Sequence, residues 1–352
     1  MCKYQILLTP VEAYFFGGEK HSKKAGSNSG FEMDFFVRSE LYPQQTTLLG
    51  VLRYYLLMKY RYLNPQKIGK TNEANQLIGE SSFSYTNSAR KQEFGKIKQI
   101  SPLYFEKNDS YFHNESQKYL ISPFDYQFRL KKDYGEYMLD GYDAKKGYTS
   151  VLMNITDNSV VDFFQDGNKS PDFVFIQVDS VGNKKGEKGK SEDDGFYKQI
   201  MYKLNTNWSF SFEAEIDLKL EEDHKFLSFG AEKQVFSFSI KKIDDFTDLK
   251  LPLAKKDLPA IFSISDCFVW EELWNDVLFA VNESISFRNL QSSNSSQNYS
   301  SFSKGYKLSK RYNLLKRGSI LYFENKEKRN NAIALFSNTN SENIGFNRIQ
   351  TF

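Results

Sequence analysis

The sequence is poor in the residues that most often carry chemistry. Its 352 residues include two cysteines, Cys2 and Cys267, and three histidines, His21, His113 and His224. Two isolated cysteines make neither a metal site nor a disulfide framework, and this usage reads as cytoplasmic. No run reaches the roughly 18 apolar residues of a membrane-spanning helix. The opening MCKYQILLTPVEAYFF lacks the basic and long apolar regions of a signal peptide and reads as a strand. Neither a G-x-x-x-x-G-K-[ST] loop nor a G-x-S-x-G elbow is present. No cofactor, no metal and no catalytic constellation is therefore expected.

Acidic residues are missing from two long stretches. None lies between Glu40 and Glu73, where Arg53, Lys59, Arg61, Lys67 and Lys70 occur. None lies between Glu283 and Glu324, where Arg288, Lys304, Lys307, Lys310, Arg311, Lys316 and Arg317 occur. The formal net charge is only +3, so positive charge is concentrated locally. Local basic patches on a near-neutral chain point to a partner with a line of negative charge, most simply a nucleic acid backbone. Phe and Tyr are abundant, at 32 and 22. They favour a strand-rich core, and they also suit base stacking.

The clearest helix is expected over 46–63, after Pro43 and with Thr46 as N-cap. Leu49, Leu52, Leu56, Tyr60 and Leu63 share one face at helical spacing. Strand signals occupy 3–16, 31–37, 96–105, 119–122, 172–179, 200–204, 210–218, 226–229, 235–240, 260–270, 278–287, 320–323 and 333–336. Residues 291–303, QSSNSSQNYSSFS, form a low-complexity loop. Many strands with few helices indicate an α+β fold, not an alternating βα pattern.

Thr46, Gly50, Arg53 and Leu57 form one helical stripe. A glycine inside a helix is costly, so Gly50 marks a close approach to the helix backbone. Either a strand packs there with Arg53 paired to a carboxylate, or Arg53 makes a forked contact to a phosphate. The turn Arg317-Gly318-Ser319 exposes N–H groups beside a cation and is either a phosphate-binding turn or an ordinary start to a strand. Lys184, Lys185, Lys188 and Lys190 form a basic finger, either solvated or clasping a single strand. His21, in the Lys-rich loop 17–30, is an exposed loop histidine or a general base for RNA cleavage. Asp193-Asp194 and Asp244-Asp245 read as solvated carboxylate pairs.

Taken in order, these segments resemble the Cmr-three family of type III-B CRISPR effector subunits, Cas-five-like members of the RAMP superfamily. YPQQTTLLGVLRYYL (42–56) is similar to the segment with the family's first helix, including its G-x-x-R spacing at Gly50 and Arg53. FGKIKQISPLYF (94–105), YLISPFDY (119–126), VGNKKGEKGKSEDDGFYKQ (181–199), FLSFGAEKQVFSF (226–238), SKGYKL followed by RGSILYF (317–323), and GFNRI (345–349) follow in the family's order. Ala231 stands where the family has a second glycine and Tyr306 where it has tryptophan. Type III-A and III-D Cas-five-like subunits share the helix and the Gly-Ser turn.

The resemblance implies tandem ferredoxin-like (RRM-related) domains with long loop insertions, at 1–170 and at 171–352 with the basic hairpin inserted. It implies a non-catalytic subunit that holds the 5′ tag of the CRISPR RNA in antiviral defence. The subunit would dock against a large Cas-ten-type subunit and a Cas-seven-type backbone subunit. Contacts to RNA are then expected from Thr46, Gly50, Arg53, Lys184, Lys185, Lys188, Lys190, Arg317, Gly318 and Ser319, with Asn347 and Arg348 as further candidates. The two ends of the chain are expected to meet around one RNA terminus. The alternatives are a metal-independent endoribonuclease of the same superfamily using His21, and an unrelated β-rich interaction module.

Overall fold

The computed structural model describes the chain except for residues 18–19, 23–34, 64–70, 86–90, 109–115, 123–128, 134, 144, 146–149, 165–172, 186–190, 231–232, 253–257 and 293–305. The fold is α+β and mostly strand. Its centre is the strand Cys2–Pro10, paired antiparallel with Trp208–Ile216 on one side and Gln234–Ile243 on the other. Alternation explains the placement. Tyr4, Ile6 and Leu8, Phe210, Phe212, Ala214 and Ile216, and Phe236, Phe238 and Ile240 are all buried in one core.

Over this face lies helix α1 (Gln45–Lys59), preceded by Gln44 and ended at Tyr60. The helix therefore starts one residue before Thr46, which sits in its first turn and is not the N-cap. It also ends before 63, where Arg61 takes a positive φ of 61°. Leu48, Leu49, Leu52, Tyr55 and Leu56 face the sheet, and the Tyr55 ring stacks on Phe238 with centroids 4.5 Å apart. A short α2 (Asn72–Ile78) follows, capped by Thr71, whose side chain accepts from the N–H of Ala74.

Count Cys2–Pro10, Tyr104–Lys107, Trp208–Ile216 and Gln234–Ile243 as strands one to four. Their order across the sheet is four, one, three, two, all antiparallel. The sheet continues beyond Tyr104–Lys107 through Gln117–Ser122, Val151–Asn154, Val160–Phe164 and the long hairpin Phe173–Lys185 with Ser191–Leu204. A second sheet has the strands Ala260–Ser263, Val277–Val281, Ile320–Phe323 and Ile349–Thr351. It has the same four, one, three, two order, again antiparallel. Helix α3 (Leu273–Asp276) follows its first strand, and α4 (Lys326–Phe336) and α5 (Thr339–Glu342) precede its last.

The large sheet passes across the boundary expected between 170 and 171. A central strand cannot belong to a folding unit apart from both its neighbours, and Cys2–Pro10 has both neighbours beyond residue 200. The sheets instead change over between Ile243 and Ala260. Residues 333–336, expected as a strand, lie in α4. Asn325 caps that helix, its side chain accepting from the N–H of Lys328, and this local signal outweighs the apolar run. The two sheets meet face to face, with Tyr104, Leu120 and Met153 of the first packed with Phe262, Ile264, Ile320 and Tyr322 of the second.

A candidate nucleic-acid interface on the first helix

Helix α1 has two unlike sides. One is sealed onto the sheet. The other carries Gly50, which is exposed and has no atom within 4 Å of where a Cβ would stand. No strand among the described residues approaches the glycine, so the tight-packing reading of Gly50 does not hold there. The open side borders a cleft of about 500 Å³, lined among others by Thr46, Thr47, Gly50, Arg53, Arg288 and Asn289.

Arg53 is unusually placed for a cation. Its Nη2 donates to the carbonyl of Ser81 at 2.9 Å, and its guanidinium lies 5.2 Å from the Phe94 ring centroid. Its Nε is buried without a hydrogen-bond partner. Among the described residues no carboxylate pairs with it. Burial lowers its pKa to about 10, so it remains protonated at neutral pH. A buried cation with a free donor is costly unless an anion arrives.

Arg288 comes from the second acid-free stretch. Its Nε donates to Ser309 O at 3.2 Å, and no carboxylate pairs with it among the described residues. The neighbouring Asn289 donates to Phe83 O at 2.6 Å, which joins this stretch to the segment after α2. The start of α1 adds backbone donors. Gln44 makes no side-chain cap, and the first turn holds no acid, so the helix N-terminus presents N–H groups and partial positive charge. Glu40 is the acid that lines the cleft. The arrangement can hold an anion between two arginines along a helix face that admits close contact.

The other expected contacts fall elsewhere. Arg317 is buried and paired with Asp266, Nη2 to Oδ2 at 3.1 Å. Its Nη1 donates to Leu103 O at 3.2 Å, and its guanidinium lies 4.6 Å from the Tyr42 ring centroid. The Gly318 N–H donates to Ser263 O, and the Ser319 N–H to Ser263 Oγ. The Ser319 hydroxyl donates to Lys316 O. This turn is an internal joint with its donors used, not a phosphate cradle. Asn347 is also internal, accepting from Phe268 N and donating to Phe268 O and Phe336 O. Arg348 is half-buried, with Nη2 directed at Glu342 O at 3.4 Å. It lines a different, smaller cleft of about 230 Å³ with Lys250 and Thr247.

Lys184 and Lys185 end the strand Phe173–Lys185. Lys188 and Lys190 lie outside the described residues, as does His113. His21 lies on the short strand Lys20–Ser22. His224 shares a hydrogen bond with Ser237 Oγ at 2.8 Å. No group of three or more His, Cys, Asp or Glu that could hold a metal occurs among the described residues. Nor is any helix among them long and apolar enough to cross a membrane.

Arg317, expected beside Arg53, does not line this cleft. The two acid-free stretches share the cleft by Arg53 and Arg288. Arg288 carried no motif, and its only signal in the sequence was membership of an acid-free stretch.

No family model matches the chain, and no curated protein matches it. Among solved structures, a chain from the type III-B Cmr-beta complex bound to cognate target RNA and AMPPnP is similar at 12% identity and a TM-score of 0.47, covering 98% of this chain and 96% of that one. A chain from the same complex bound to cognate target RNA is similar at 13% identity and a TM-score of 0.46, with the same coverage.

Proposed function

We propose that the protein is a non-catalytic RNA-binding subunit of a type III-B CRISPR (Cmr) effector complex. It holds the 5′ tag of the CRISPR RNA along the open side of α1 and docks to a large Cas-ten-type subunit and a Cas-seven-type backbone subunit. The observation that carries this reading is the pair Arg53 and Arg288, drawn from two acid-free stretches into one cleft with, among the described residues, no carboxylate paired to either. Two further features support it. Tyr54 lies one turn beyond Gly50 and is 40% exposed, available as a stacking platform for a base. The four, one, three, two strand order, seen twice, is that of a ferredoxin-like unit. We therefore read two such units, at 2–243 and 260–351, with a long insertion in the first and, among the described residues, no helix between its third and fourth strands.

The test is tag-RNA binding by the assembled complex carrying Arg53→Ala and Arg288→Ala. Each lost phosphate contact should lower the slope of log K against log salt by about 0.7 for a single strand. Unchanged affinity and slope at moderate salt would remove the cleft from the RNA path. Sequencing the bound RNA should return one uniform 5′ end.

A further inference from the structure

We propose that Trp274 and the strand Val277–Val281 form a docking surface for a basic, extended segment of a partner protein. This strand is an edge of the four-stranded sheet and pairs only with Ile320–Phe323 among the described residues. Its sequence, VLFAV, has five apolar residues with no charge and no proline. Edge strands usually carry such a residue, because unpaired N–H and C=O groups otherwise recruit another strand. The register shifts between Val277 and Phe279, which marks Leu278 as a bulge residue. Leu278 and Trp274 are each 41% exposed.

The surrounding charge selects the class of partner. No Lys or Arg occurs between Lys256 and Arg288, whereas Asp257, Asp266, Glu271, Glu272, Asp276 and Glu283 do. Asp266 is paired with Arg317, and Glu283 with Lys316. Glu271 and Glu272 remain exposed beside Trp274, and Asp276 is partly exposed just before the strand. On α4, Lys328 is held by Glu324 at 2.8 Å and also acts electrostatically on Asp276, which leaves Glu271 and Glu272 as the main acidic rim. An apolar edge with an acidic rim repels an RNA backbone. It suits a strand whose apolar side chains alternate with Lys or Arg, since edge backbone groups supply affinity and the rim supplies selectivity. This inference does not depend on the RNA reading, which rests on α1.

The experiment follows Trp274 fluorescence in the full chain, with Trp274→Phe assigning the signal. The probes are an octapeptide of alternating Val and Lys, its Val and Glu counterpart, and a single-stranded oligonucleotide. The Val/Lys peptide should bind saturably with a blue shift. Leu278→Lys, a change at an exposed position, should weaken it at least tenfold while circular dichroism is unchanged. Equal binding of the two peptides, an oligonucleotide that competes for the same signal, or a Leu278→Lys protein that binds normally would overturn the proposal. Self-association that Leu278→Lys abolishes would also overturn it, in favour of a second copy as occupant.

Discussion

Gln45 donates through Nε2 to the carbonyl of Ile344 at 2.9 Å, across 299 positions of the chain. The same nitrogen donates to Ser101 O at 2.9 Å, and Gln45 Oε1 accepts from Leu103 N at 3.2 Å. One fully buried amide thus joins the start of α1, the loop before Tyr104–Lys107 and the turn after α5. Gly345 has a positive φ of 86°, and a Cβ there would collide with Gln45.

Gln45→Leu should therefore destabilise more than an ordinary surface change. It orphans three buried backbone groups at about 1–3 kcal/mol each, with partial relief from relaxation. The midpoint of urea unfolding reads the loss. A shift within the error of wild type would show that water replaces the amide.

Gly50 separates stability from binding. The isolated protein leaves open space at this Cβ, so Gly50→Ala should stabilise it by about 0.5–1 kcal/mol through helix propensity. Gly50→Leu should leave unfolding near wild type and strongly reduce tag-RNA binding. If Gly50→Leu binds RNA as wild type does, nothing approaches the helix there.

Arg317 should behave as a structural residue. Arg317→Ala leaves Asp266 buried and unpaired, at a cost of about 3–5 kcal/mol. Replacing both, as Arg317→Met with Asp266→Leu, should recover much of that loss. Unfolding midpoints of the three proteins give the comparison. A fully stable Arg317→Ala protein with impaired RNA binding would return this residue to the interface.

The acid limb of stability should depend on Asp223. Burial alone would raise its pKa, but the hydrogen bonds from Tyr55 and Lys225 and the charges of Lys225 and Lys59 prevail and lower it. A depressed folded value contributes stability above the unfolded value of about 3.9, which is lost as pH falls through the folded one. Asp223→Asn should be less stable than wild type at pH 7, and the gap should close below about pH 4. A gap that persists at low pH would assign the effect to packing.

Much of the scaffold was legible in the sequence. The alternation in 210–218 and 235–240 and the helical stripe in 46–63 placed the central strands and α1, with ends shifted by a few residues. Residues 333–336 misled because a short apolar run fits either a strand or a buried helical turn. The division at 170 misled because strand pairing between positions 2–10 and 208–243 leaves no local trace. Of the expected site, Thr46, Gly50 and Arg53 line the cleft, whereas Arg317, Gly318, Ser319 and Asn347 are interior.

By itself the sequence determined where positive charge lacks local acid, which segments alternate or turn with a helical period, and that α1 carries a glycine. These are local properties, fixed by residue type and spacing. Tertiary structure alone decided which cations find a carboxylate among the described residues. Arg317 and Arg288 lie in the same acid-free stretch, yet folding brings Asp266 to one and an open cleft to the other. A charge is neutralised by whatever the fold places within a few ångströms, and sequence distance does not report that separation.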